Sequence, residues 1–273
     1  MSDTVNVHLY GVPLPLDGDD GVDPVLVFGV RKSGSSILNS IVEALAKAVG
    51  WRYVDVAGAL YRGGVPTSAW VEDPQMQFLL RGRNVLAGFR DCPRGLLAAP
   101  RFPHIKKVLL VRDPRDALVS EYFSNARTHE VPDSGGSREE MLQLRQEALS
   151  RSLVDFVLER AEAMDWTLRM YAEVARDPNC LLLKYEDSIL DKRGMIGNIC
   201  THFGWPVDPQ LVELILEWAD VIPSDERQDQ FVRKVLPGDH VEKLSAAVIE
   251  ELNQRLAVSL DFYGYLKSPS RPN

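Results

Sequence analysis

The chain has 273 residues, 45% of them hydrophobic and 26% charged, a balance that suits one large globular α/β domain and excludes a disordered or fibrous chain. Its formal net charge of −8 argues against broad binding to nucleic acid or an anionic membrane and still permits a local basic pocket. The three cysteines, Cys92, Cys180 and Cys200, are odd in number and far apart, so they imply no disulfide framework.

In chain order, residues 1–23 read as an N-terminal extension. They lack the basic start and continuous apolar run of a secretory signal, and no apolar run elsewhere is long enough to span a bilayer, so a cytoplasmic protein is expected. Val25–Val30, Tyr53–Val56, Asn84–Phe89, Lys107–Val111 and Cys180–Lys184 are short and almost wholly apolar, as parallel strands covered on both faces should be. Between them, Ser36–Val49, Ser152–Ala175 and Gln210–Ala219 place apolar residues at helical spacing. The alternation predicts a single α/β domain over 1–273, with a mostly parallel central sheet flanked by helices and a ligand crevice at the carboxyl ends of the strands. Residues 127–150, with Pro132, Asp133, Ser134, Gly135, Gly136 and Ser137 in their midst, are expected to form a mobile surface segment in the place of a lid, and 267–273 a frayed tail.

The first stretch that points to chemistry follows the first buried strand. Arg31-Lys32-Ser33-Gly34-Ser35-Ser36-Ile37 runs through a small-residue turn into a helix, whose unpaired amides make a natural phosphate cradle. Gly34 allows close approach, and Ser33, Ser35 and Ser36 add hydroxyl donors; an ordinary connecting turn is the plainer reading of the same residues. Gly29 and Gly34 keep the spacing of a Walker A loop, but Ser35-Ser36 stand where Lys-Ser/Thr would follow, and Lys32 lies inside the loop instead. An ATP-dependent kinase is disfavoured by that shift.

This loop resembles the 5′-phosphosulfate loop of sulfotransferases that use 3′-phosphoadenosine 5′-phosphosulfate (PAPS), whose usual form is Pro-Lys-Ser-Gly-Thr-Thr-Trp. Lys32, Ser33 and Gly34 match, Ser35 and Ser36 replace threonines, and Arg31 and Ile37 depart from the proline and tryptophan. In many members that tryptophan stacks on the adenine. Lys107 to Tyr122 contains a strand, Arg112, a capping Asp113, Pro114 at the first helical position and Ser120. It is similar to the family's 3′-phosphate motif, in which an arginine and a serine eight residues later select a nucleotide with a 3′-phosphate; Arg112 and Ser120 keep that separation. Tyr185-Glu186-Asp187 resembles a segment whose tyrosine lies near the adenine, although such a tyrosine is more often simply packed. Arg233-Lys234-Val235-Leu236-Pro237-Gly238-Asp239-His240 resembles the loop Arg-Lys-Gly-x-x-Gly-Asp-Trp that folds over the nucleotide, with Val235 and His240 as departures.

The resemblance implies a P-loop-like sulfotransferase architecture and in-line transfer of a sulfuryl group from PAPS to a hydroxyl, or less readily an amine, of a small molecule, lipid or glycan, leaving 3′-phosphoadenosine 5′-phosphate (PAP). It implies nucleotide contacts from Arg31, Lys32, Ser33, Gly34, Ser35, Ser36, Arg112, Ser120, Tyr185, Arg233 and Lys234. Lys32 would sit at the leaving oxygen, no metal is needed, and a homodimer is left open. Many relatives take the proton with a histidine in Lys-Thr-His-x-Pro; the corresponding Phe89–Leu97 stretch puts Asp91 at that place, and a carboxylate base has precedent among carbohydrate-modifying members. The plainer reading pairs Asp91 with Arg90 or Arg94. Glu72, Asp73 and His104 are further candidates. A small-molecule kinase and an inactive nucleotide-binding relative remain as alternatives.

Overall fold

The computed structural model describes residues 4–220 and 234–266, the side chain of Thr128 excepted. Arg233 and the tail 267–273 lie outside the described residues. Five parallel strands form the central sheet: β3 (Val25–Gly29), β4 (Arg52–Asp55), β5 (Asn84–Phe89), β6 (Lys107–Val111) and β7 (Cys180–Lys184), in the order β4-β5-β3-β6-β7. Every residue of β3, β5 and β6 is buried, which is why these strands read as unbroken apolar runs, while the edge strands β4 and β7 are partly exposed.

The longer helices are α1 (Ser35–Ala48), α2 (Val56–Arg62), α3 (Pro114–Phe123), α4 (Gly136–Ser150), α5 (Leu153–Arg176), α6 (Lys192–Phe203), α7 (Pro209–Ala219) and α8 (Ala246–Arg255). Two apolar cores follow from the pleat of β3. Val25 and Val27 face Leu38 and Ile41 of α1, with Ile199 of α6 and Ile215 of α7 in the same cluster. Leu26 and Phe28 face the other way, into a cluster with Phe156, Leu168 and Tyr171 of α5. The chain leaves β3 toward β4 on one side and returns through β5 to β6 on the other. The crevice between the ends of β3 and β6 is therefore the switch point at which open α/β sheets bind ligands.

Two segments differ from expectation. Part of the N-terminal extension is an antiparallel hairpin, β1 (Thr4–Leu9) with β2 (Val12–Asp17), turning at Tyr10 and Gly11. Residues 127–150 contain the fifteen-residue helix α4, whose start docks on α2: the Ser137 hydroxyl donates to the Tyr61 carbonyl at 2.7 Å, and its amide to the Gly64 carbonyl at 3.3 Å.

Candidate active site

After β3 the chain folds back on itself. The amide and hydroxyl of Ser33 both donate to the Val30 carbonyl, at 3.0 and 2.6 Å, and Ser33 is fully buried. Lys32 (φ +64°) and Gly34 (φ +86°) on either side of it are left-handed. This reversal aims the start of α1 into a cleft of about 420 Å³, and no side chain caps that helix. Arg31, Lys32, Gly34, Ser35 and Ser36 border the cleft, whereas Ser33 does not. Ser33, expected as a nucleotide contact, instead uses its hydroxyl to shape the turn.

The opposite wall begins at the end of β6. Asp113 caps α3 by accepting from the Arg115 amide at 2.9 Å, and Pro114 fills the first helical position, where no donor is required. Arg112 and Ser120 both border the cleft. Arg112 donates to the Lys32 carbonyl at 3.3 Å and faces Asp116 at 3.5 Å, while its Nε is buried without a partner. An orphaned buried guanidinium donor costs stability until an acceptor reaches it, which fits an anion-binding wall.

Tyr185 does more than pack. Its ring lies under the Arg112 guanidinium at 4.4 Å, its hydroxyl donates to the Val235 carbonyl at 2.6 Å, and a Cβ on Gly34 would meet it at 2.9 Å. One aromatic side chain thus joins its own signature to the other three. Its neighbour Glu186 accepts from the Asp113 amide and the Tyr265 hydroxyl, each at 2.9 Å, tying the third signature to the second.

Asp116 fixes the fourth. Its carboxylate accepts from the Gly238 amide at 2.7 Å, the His240 amide at 2.9 Å and the His240 ring at 2.6 Å. Burial opposes its ionisation, but the His240 hydrogen bonds and the Arg112 charge outweigh that and hold the carboxyl well below the usual range. Lys234 reaches the cleft from this loop while pairing with Glu242 and lying 3.4 Å from Asp239. His240, a departure from the motif's tryptophan, is what grips Asp116.

Among the described residues, six cationic side chains border this cleft, Arg31, Lys32, Arg90, Arg112, Lys192 and Lys234, against the single carboxylate of Glu121. Among the described residues no group of three His, Cys, Asp or Glu is placed to hold a metal ion, and no helix is long and apolar enough to cross a membrane.

Asp91 stands elsewhere. Both its oxygens are held by Arg31, at 2.7 and 3.0 Å, and it borders two smaller adjoining cavities but not the cleft of Lys32. Its partner is therefore neither Arg90 nor Arg94; Arg94 pairs with Glu72, Asp73 accepts from Tyr10, and neither Glu72, Asp73 nor His104 borders the cleft. Two residues that sequence reasoning passed over do border it: His129, just beyond α3, and Trp218 of α7, which is 45% exposed. Trp218 looked like one more apolar position of an amphipathic helix; its exposure, decided by tertiary contacts, is the distinguishing signal.

The family of the sulfotransferase domain matches this chain over residues 93–257. Sulfotransferase 2A1 of Rattus norvegicus is 30% identical over 156 residues, 56% of this chain and 51% of that protein. The 3-alpha-hydroxysteroid sulfotransferase of Cavia porcellus is 27% identical over 200 residues, 69% of this chain and 61% of that protein. The chain spans about half the length of the curated relatives it matches. Among solved structures, mouse sulfotransferase SULT7A1 complexed with PAP superposes with a TM-score of 0.59 at 14% identity, covering 95% of this chain and 99% of that one, which shows a shared fold.

Proposed function

This chain belongs to the sulfotransferase domain family, and we propose that it moves a sulfuryl group from PAPS to a hydroxyl, in preference to an amine, of a small molecule, lipid or glycan. The observation that carries this reading is convergence. Segments around residues 32, 112, 185 and 234 meet at one cleft and fill it with cations, in a chain whose net charge is −8. The residues fit a doubly phosphorylated nucleotide: the start of α1 with Lys32 for the 5′-phosphosulfate, Arg112, Ser120 and Lys234 for the 3′-phosphate, and Tyr185 with the exposed face of Trp218 for the base.

Sulfuryl transfer resembles phosphoryl transfer, with charge growing on the bridging oxygen as it departs. Lys32 is the residue of the loop suited to neutralise that charge. Asp91 is the base that the sequence suggested; clamped bidentately by Arg31 outside the main cleft, it fits the part of a residue that orients Arg31 better. A kinase reading lacks the lysine after Gly34 that it requires.

Calorimetry with PAP and AMP, and transfer assays with PAPS and with ATP as control donor, test the proposal. PAP should bind at least about tenfold more tightly than AMP, since two anchored phosphates offer more charge-assisted hydrogen bonds than one. Lys32→Ala should lower PAPS turnover by about a hundredfold or more while changing PAP affinity far less. Equal affinities for PAP and AMP would remove the assignment of the 3′-phosphate wall, and transfer from ATP would restore the kinase.

A further inference from the structure

Helix α3 carries Ser120 to the cleft and then widens into a π-turn over Ser124–Thr128. Such turns insert an extra residue into a helix and recur at functional sites. Ser124, Asn125 and His129 all border the cleft. The His129 ring lies flat on Tyr61 of α2, with centroids 6.0 Å apart and planes at 15°. Its amide donates to the Ser124 carbonyl at 2.9 Å, and its carbonyl accepts from Arg145 of α4 at 2.6 Å. The residue is thus held by its ring face and by both backbone groups, while among the described residues neither ring nitrogen has a hydrogen-bond partner.

Its surroundings keep that ring neutral. Burial, followed by the charges of Lys32, Arg90, Arg31 and Arg145, holds its pKa down at about 4. A fixed imidazole lining the same cleft as Lys32 is in the unprotonated form that a proton acceptor requires at ordinary pH, and the carboxylate expected for that task is occupied by Arg31. The same turn buries the Nδ2 of Asn125 without a partner, so an oxygen brought against it would satisfy a donor that is otherwise orphaned.

Resting on the sulfotransferase reading above, we propose that His129 is the proton acceptor for the attacking hydroxyl. A lone pair of the hydroxyl oxygen forms the new S–O bond, and the S–O bond to the bridging oxygen breaks, its electron pair remaining on the 5′-phosphate of PAP beside Lys32. The hydroxyl proton passes to a ring nitrogen of His129, and the imidazolium returns it to solvent once the sulfate ester leaves.

The test uses the full chain with PAPS, water, 4-nitrophenol and 1-octanol as acceptor probes, and PAP binding as the check on folding. His129→Ala should lower PAPS consumption by about 10²–10⁴-fold, the range of general-base contributions, with little change in PAP affinity. Added imidazole should restore part of the rate in His129→Ala, whose cavity beside Tyr61 can admit it, and not in the bulkier His129→Gln. Near-wild-type consumption by both variants overturns the proposal while leaving the sulfotransferase reading intact. So does a loss of consumption matched by an equal loss of PAP affinity and unrelieved by imidazole. A wild-type chain that consumes no PAPS with any probe overturns the reading and the inference together.

Discussion

Gly34 is under two independent demands. Its φ of +86° is one that a side chain adopts at a cost of about 1–2 kcal/mol, and a Cβ there would lie 2.9 Å from two ring carbons of Tyr185. Tyr185 cannot retreat freely, because it is held by the Val235 carbonyl on one side and the Arg112 guanidinium on its face. Gly34→Ala should therefore reach beyond the loop and disturb the 3′-phosphate wall and the closing loop at once. The expected result is a loss of PAP affinity of about tenfold or more, alongside a stability loss of about 1–2 kcal/mol. Tyr185→Ala would open the space, and because it also removes a nucleotide contact it is measured alone as well as together with Gly34→Ala: if the two losses of affinity simply added, backbone strain and not the clash with Tyr185 would account for the glycine defect. Calorimetry with PAP on the two single variants and the double variant measures this. The sequence offered the glycine and the lysine plainly, since both belong to a contiguous loop, but it could not show that Ser33 turns inward to Val30.

At the scale of elements, α3 organises the site. Its cap, Asp113, binds Arg115 with both oxygens, and its first turn presents Asp116 to the loop 234–240. A carboxyl depressed in the folded chain contributes stability at every pH above its ordinary value near 3.9 and loses it only as pH falls through the depressed value. At neutral pH the full contribution of Asp116 is present. Asp116→Asn leaves the Arg112 charge without its nearest counterpart and keeps one acceptor oxygen for three donors. Breaking a buried charged network of this kind costs about 3–5 kcal/mol, and Lys234 should lose its position, weakening PAP binding. Thermal melts and PAP titrations of this variant decide the matter, and wild-type values in both would show that the loop does not depend on Asp116. The strands and long helices that carry α3 were legible because fully buried elements print their period directly on the sequence. The N-terminal hairpin was not, because Pro13 and Pro15 argue against a strand; β2 tolerates them as one of only two paired strands with an open edge. His129 was illegible for another reason: a lone histidine in a polar segment becomes a neutral, fixed imidazole only through tertiary burial and, after it, the charges of Lys32, Arg90, Arg31 and Arg145.

Across the whole molecule, charge is segregated. An acidic chain gathers six cationic side chains of its described residues at one cleft, and the sheet's switch point is the reason they meet, since β3 and β6 are neighbours in space but far apart in sequence. Such a concentration favours an anion of high charge over one of low charge, and the preference should weaken as salt shortens the screening length, which is about 10 Å at 0.1 M. PAP, with two phosphates, should lose affinity more steeply than AMP as sodium chloride is raised from low to physiological strength. Lys234→Gln should flatten the PAP slope and leave the AMP slope unchanged, because Lys234 is assigned to the 3′-phosphate that AMP lacks. Arg101 pairs with Asp23 away from the cleft, so Arg101→Gln serves as the control and should alter neither slope. Titrations of the three proteins at several salt concentrations give all the slopes needed. Parallel slopes for PAP and AMP in the wild type would mean that the cleft does not sense the second phosphate, and an equal flattening by Arg101→Gln would mean that the field belongs to the whole surface and not to the cleft.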